Sequence, residues 1–213
     1  MTDAKTEILA RIRGALHDAP PVPEVERSYR STSDRPREEL VEMLEDRLVD
    51  YKAAVHHETP ESLPARIAEL LGASARYVVP DGLDRSWLPE ESGMRRVIVD
   101  PNDARAASAL GVRELNAVDA VVTSSTVSCA ETGTIFLTGR ADEGRRAISL
   151  VPDHHICVVP LDSVVELIPE ALARVEPTAP VTMISGPSAT SDIELERVEG
   201  VHGPRRLDVV LLG

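Results

Sequence analysis

The chain has 213 residues, 42% of them apolar, and a formal net charge of −13. That length suits one large domain, or one domain with an appended arm. The acidic balance and the five aromatic residues (Tyr29, Tyr51, Tyr77, Trp87, Phe136) argue against nucleic acid, whose recognition needs a basic face and stacking rings. No apolar run approaches the roughly 20 residues of a membrane span.

The first segment places Ile8, Leu9, Ile12 and Leu16 at helical spacing, with Thr2 or Asp3 as cap. Charges from the third position onward do not fit a signal peptide, so a cytoplasmic protein is expected. The run Ala19-Pro20-Pro21-Val22-Pro23 ends the helix, and a polar stretch to Arg35 reads as linker. A second helix carries Leu40, Val41, Leu44, Leu48 and Val49 on one face. Residues 1–53 are therefore expected to form a helical arm with a proline-rich hinge, whose apolar stripe must pack on the chain's own core or on another subunit.

From residue 54 to 213 the pattern becomes short apolar runs alternating with helices. The runs lie at 54–55, 77–79, 97–99, 120–122, 134–137, 156–159, 181–184 and 207–212, with helical segments near 60–72, 103–110 and 161–174. Short β-branched runs separated by helices predict an α/β domain, a mostly parallel sheet with helices on both faces. Cys129 and Cys157 are the only two cysteines and form no C-x-x-C pattern. The chain by itself cannot supply the thiolates of an iron–sulfur cluster or a four-cysteine zinc site, and buried free thiols are expected.

Three stretches carry candidate chemistry. In the first, the 120–122 run leads into Thr123-Ser124-Ser125-Thr126 and then Glu131-Thr132-Gly133-Thr134. Ligands of open α/β sheets sit beyond the carboxyl ends of strands. Glu131 is the candidate nucleophile or general base there, with Thr132 and Gly133 supporting it; a purely structural carboxylate is the plain alternative. The second stretch joins Gly144-Arg145-Arg146 to Pro152-Asp153-His154-His155. Neighbouring residues on a strand face opposite ways, so His154 and His155 do not readily share one metal ion. His155 is expected to enter the sheet while its neighbour faces solvent, and His17, His56 and His57 are expected at the surface. No metal is expected, unless His155 and His202 converge.

The third stretch is the most informative. Ser185, Gly186, Ser188, Thr190, Ser191 and Asp192 follow the 181–184 run, and Ser191 with Glu194 makes a capping-box pattern. A strand end, a hydroxyl-rich turn and a helix start converge N–H groups on one point, which suits a carboxylate or phosphate. His202 and Arg205 lie downstream, and Arg205 has the planar fork to close over such an anion. A capped loop that binds nothing fits the same spacing.

Taken together, Glu131-Thr132-Gly133-Thr134-Ile135, Gly144-Arg145-Arg146-Ala147, Leu150-Val151-Pro152-Asp153-His154-His155-Ile156 and the stretch from Ser185 through Arg205 resemble the lactate-utilization protein C family, also called the LUD domain. The resemblance covers nearly the whole chain. It implies a fold of the NagB/RpiA/CoA-transferase-like type and a part in oxidising L-lactate to pyruvate within a three-component system. The other two components are iron–sulfur proteins, so the clusters are expected in partners and no cofactor in this chain. CoA transferases of this fold use a glutamate in an E-x-G setting, which Glu131-Thr132-Gly133 resembles. A CoA-transferase-like enzyme acting through Glu131 is thus the alternative, and a non-catalytic scaffold or regulator is a third reading.

Overall fold

The computed structural model describes residues 3–17, 24–73, 75–187 and 203–213. Six strands form one all-parallel sheet in the order β1-β10-β7-β4-β2-β3. They are β1 (Ala54–Glu58), β2 (Ala75–Pro80), β3 (Arg95–Asp100), β4 (Ala120–Thr123), β7 (His154–Pro160) and β10 (Arg206–Leu212). Four short strands form a second sheet in the order β8-β5-β6-β9: β5 (Val127–Cys129), β6 (Thr134–Leu137), β8 (Val164–Val165) and β9 (Thr182–Ile184). Here β5 pairs β8 parallel, and the other two pairings are antiparallel.

Helix α3 (Leu63–Leu71) covers one face of the large sheet. Pro64 in its first turn is pre-set for a helix start, and Leu63, Ile67 and Leu71 recur every four residues to present one buried stripe. This stripe meets Tyr77, Val79, Val122, Ile156, Val158 and Val210. On the opposite face, Cys157, Val159, Leu207, Val209 and Leu211 pack against Ile135 and Leu137 of the second sheet and against α2 (Arg37–Asp50). Alternation along each strand sends neighbouring residues into these two layers, so the central strands are apolar on both faces over most of their length. The short helices α4 (Val112–Leu115) and α5 (Arg146–Leu150) place Leu115 and Ile148 against Val78 and Val121. Helix α6 (Ile168–Ala173) backs the second sheet, where Val127, Cys129, Phe136, Val165 and Ala171 form a separate cluster.

Helix α2 is part of the core. Leu44 and Leu48 are fully buried, and each such leucine contributes on the order of 1.5–3 kcal/mol. The stripe expected to need a covering surface finds it within its own chain. Helix α1 (Ala4–Ala15), capped by Asp3, differs: Ile8, Leu9, Ile12 and Leu16 are all exposed.

Three local expectations change. Residues 103–110 form turns and no helix, because side chains capture the backbone. Asp103 accepts from the Arg105 N–H at 2.9 Å, and Asp100 accepts from the Leu110 N–H at 2.8 Å. The segment 161–174 breaks into a 3-10 turn, β8 and then α6, since Val164 and Val165 are claimed by pairing with Ser128 and Cys129. Strands β5 and β8, with three and two residues, are too short to leave a period in the sequence. Among the described residues no helix is long and apolar enough to cross a membrane.

Candidate functional site

Strands β5 and β6 make a hairpin whose turn holds Glu131, Thr132 and Gly133. Gly133 has φ +60°, and a β-carbon there would stand 2.7 Å from Cβ of Arg47 on α2. Only glycine lets the turn approach the helix this closely. The Glu131 N–H donates to the Glu166 carbonyl at 3.1 Å. The Glu131 carboxylate, about half exposed, accepts from Arg30 at 2.6 Å.

Arg30 belongs to an extended strap before α2. Its other guanidinium nitrogen reaches Glu166 at 3.3 Å, and Arg35 Nε reaches the same carboxylate at 3.2 Å. The Ser33 hydroxyl also donates to Glu166, and the Ser33 N–H donates to Glu170 at 3.0 Å. Glu166 is nearly buried, and the hydrogen bond from Ser33, opposed by desolvation and joined by Arg35, holds its carboxyl below the usual range.

The hairpin turn meets the third stretch directly. Thr134 Oγ1 lies 2.8 Å from Thr132 Oγ1 and 2.9 Å from Ser185 Oγ, because β6 and β9 are paired. Gly186, at φ +89°, turns the chain, and a β-carbon on Gly203 would lie 3.1 Å from the Pro187 carbonyl oxygen. Pro187 and Gly203 therefore lie close together, and Ser185 lies against the hairpin that carries Glu131. Ser188, Thr190, Ser191, Asp192 and His202 lie outside the described residues. Arg205 follows at the amino end of β10. Its backbone N–H and guanidinium both go to Asp153, at 2.8 and 3.2 Å, and its side chain is largely exposed. Arg146 is exposed at the start of α5.

Beyond the carboxyl end of β4 the carboxylate in place is Glu143. It is buried and accepts from the Thr126 hydroxyl, from the Thr138 N–H at 2.6 Å and from the Arg140 N–H at 3.1 Å. The antiparallel hairpin accounts for the placement: Thr126 and Thr138 flank its open end, and Glu131 sits at its turn. Sequence reasoning missed Glu143, whose only signal was an acidic residue between two glycines of a loop.

The histidines sort by face. His155 enters the sheet, fully buried, with Nε2 at 2.8 Å from Thr123 Oγ1 and Nδ1 without a hydrogen-bond partner among the described residues. Burial, helped by His154 nearby, lowers its pKa to about 3, so the ring is neutral. Burial likewise pushes the Cys157 thiol up to about 12. His154 does not face solvent and His56 is not a surface residue. Both turn inward to Asp208, their Nε2 atoms 2.7 Å from Oδ2 and 2.8 Å from Oδ1. Arg206 Nε is 2.6 Å from Oδ2. Asp208 is fully buried; desolvation pushes its carboxyl up, but hydrogen bonds from His154, His56 and Arg206 outweigh this and hold it well below the usual range. Its signal in the sequence was one charge inside an apolar strand, Leu207-Asp208-Val209. Among the described residues no group of three or more His, Cys, Asp or Glu is placed to hold a metal ion.

A parallel sheet backed by a small mixed sheet, with the E-T-G-T turn against the S-G-P segment, defines an α/β domain of one kind. The chain belongs to the LUD domain family, whose model matches residues 38–212. It is 44% identical over 215 residues to Lactate utilization protein C of Deinococcus radiodurans, covering 99% of this chain and 96% of that protein. Lactate utilization protein C of Geobacillus thermodenitrificans is 34% identical over 68% of this chain and 69% of its own length. The crystal structure of a DUF162 family protein from Deinococcus radiodurans superimposes with a TM-score of 0.68 at 41% identity, covering 84% of this chain and 99% of that one.

Proposed function

We propose that this chain is a cytoplasmic component of an L-lactate utilization system that oxidises L-lactate to pyruvate together with iron–sulfur partner proteins. The observation that carries the reading is the 44% identity, over essentially the full length, to a protein named Lactate utilization protein C. Cysteine usage supports the division of labour. Cys129 and Cys157 are buried on strands of different sheets, so the thiolates for electron-transfer clusters belong to the partners. Its own contribution is an anion-binding segment, residues 185–192 with His202 and Arg205, supported by the close approach of Pro187 to Gly203 and of Ser185 to Thr134. The ligand class is a carboxylate or a phosphate.

Reconstitution tests the role. Lactate-dependent reduction of a dye by the two iron–sulfur proteins is measured with and without this chain. The reading expects activity only when it is present, and full activity from the two partners alone would refute it. Calorimetric titration of Arg205→Ala with lactate, pyruvate and CoA tests the anion segment. Equal binding by variant and wild type would remove it.

A further inference from the structure

Strands β2 and β3 close the large sheet at one edge, and their register sets Arg76 opposite Arg96. Register partners on neighbouring strands project from the same face, with their backbones about 4.8 Å apart. That face is the one lined by Val78 and Ile98, since residues two apart on a strand share a side. Both arginines are exposed. Among the described residues neither guanidinium has a hydrogen-bond or ion-pair partner, and Arg76 meets Asp119 only through its backbone. Like charges set directly opposite destabilise a strand pair, so the fold of this edge gains nothing from them.

The acidic residues of the following segment are committed elsewhere. Asp119 accepts from the Arg76 N–H at 2.7 Å, Glu114 from the Gly111 N–H at 2.7 Å and Asp103 from the Arg105 N–H at 2.9 Å. Asp100 is buried against Arg145 and the Leu110 N–H. Residues 94–119 hold four arginines and four acidic residues, so this stretch is neutral on a chain of net charge −13. Exposed apolar side chains border the pair. Met94, 66% exposed, precedes Arg96 by two residues, and its carbonyl extends the ladder by accepting from the Ala75 N–H at 3.0 Å. Val112, 68% exposed, opens α4, whose Leu115 packs on Val78 of the same face. Arginine and methionine are enriched where proteins meet. A small anion is held in a concave site, whereas side chains standing on a sheet face beside exposed Met and Val offer breadth. A two-fold dimer centred here would set arginine against arginine.

We propose that Arg76 and Arg96, flanked by Met94 and Val112, form a docking surface for an acidic face of a partner protein. The partner's carboxylates accept from the two guanidiniums, and its apolar side chains cover Met94 and Val112. The negative charge of the rest of the chain repels an acidic partner, so the pair selects the face that is presented to it. Naming the iron–sulfur components as this partner rests on the proposed role in lactate utilization; the charge and exposure of the face do not.

The test measures binding of each of the two iron–sulfur proteins to the full chain by biolayer interferometry, at about 0.05 M and about 0.5 M salt. Arg76→Glu combined with Arg96→Glu is expected to weaken one of them roughly 10- to 100-fold at low salt, chiefly through slower association, and less at high salt. Met94→Ser is expected to weaken it roughly 3- to 10-fold at either salt, since apolar contact is not screened. Arg85→Glu makes the same charge change in the turn whose Trp87 packs on the α3 face, and is expected to bind as wild type does. Arg96→Gln is expected to melt no lower than wild type, because it removes a like-charge pair; a clear loss of stability would give Arg96 a structural role instead. Circular dichroism confirms that each variant is folded. Unchanged affinity of the double variant, an equal loss in Arg85→Glu, or binding by neither partner would each overturn the proposal. So would sedimentation of the chain alone as a dimer that the double variant abolishes, which would assign the face to a second copy. The reconstitution assay decides the lactate-utilization role separately. A chain that is required there but whose double variant binds like wild type loses this surface and keeps that role. Partners that bind through this face yet oxidise lactate fully without the chain would keep the surface and remove the role.

Discussion

Replacing Asp208 by Asn keeps the shape of the side chain and removes its charge. The amide can accept on one side only, so one of the two imidazole N–H groups meets a donor, and Arg206 loses its counter-charge. Removing one partner of a buried ion pair costs about 3–5 kcal/mol. Arg206 is half exposed and both histidines are partly exposed, so they regain water, and about 2–4 kcal/mol is expected here. For a chain of this size that lowers the melting temperature by roughly 4–16 °C. The pH dependence follows from linkage. The folded-state pKa of Asp208 lies below its unfolded value, so its contribution is complete above about pH 4 and is lost as pH falls toward the folded value. Urea unfolding of wild type and Asp208→Asn at pH 7, 4 and 3 measures it. The gap should be full at pH 7 and narrow by about 1 kcal/mol between pH 4 and pH 3. A gap below 1 kcal/mol at pH 7, or one that stays constant down to pH 3, would refute the assignment of Asp208 as an ionised hub.

Leu44→Ala removes a fully buried side chain between α2 and the sheets. It should cost about 2–5 kcal/mol in chemical unfolding; a loss under 1 kcal/mol would mean that α2 is not core. Gly133→Ala combines a left-handed backbone with a β-carbon 2.7 Å from Cβ of Arg47. A loss of at least about 1–2 kcal/mol in thermal unfolding is expected, and a neutral effect would contradict the close approach. His155 should remain neutral in NMR titration from pH 8 down to about 4. Because its folded pKa of about 3 lies below the ordinary imidazole value of 6.5, the unfolded chain binds the extra proton between these two values, and His155 makes stability rise with pH across that range. Cys157, with its thiol pushed up to about 12, should resist iodoacetamide at pH 8 until the protein is unfolded, and rapid alkylation of the native chain would argue against its burial.

Some of this was legible from residue order alone. Alternating apolar runs and helices carried the α/β class, since a strand buried on both faces reads as continuous Val, Ile and Leu. The runs at 77–79, 97–99, 120–122, 156–159 and 207–212 all appear as parallel strands. The stripe Leu40, Leu44, Leu48 announced an amphipathic helix, because a helical period is local. The motifs at 131–134 and 185–186 announced themselves by turn chemistry, and pairing of β6 with β9 brings them together. Other features depended on which strands became neighbours. Residues 127–129 and 164–165 are too short to carry a period; the first is a strand because it pairs with both β6 and β8, the second because it pairs with β5. Residues 103–110 have helical composition, but Asp100 and Asp103 capture the backbone that a helix would need. Glu131 and Glu143 are 12 residues apart and lie at opposite ends of one hairpin, a placement set by antiparallel pairing. His56, His154 and Asp208 are scattered over more than 150 positions and meet because β1, β10 and β7 lie side by side. Periodicity and turn chemistry act between near neighbours in the chain and so are written in its order. The pairing of distant strands is decided by burial of the whole sheet, and the charge network at Asp208 exists only after that choice is made.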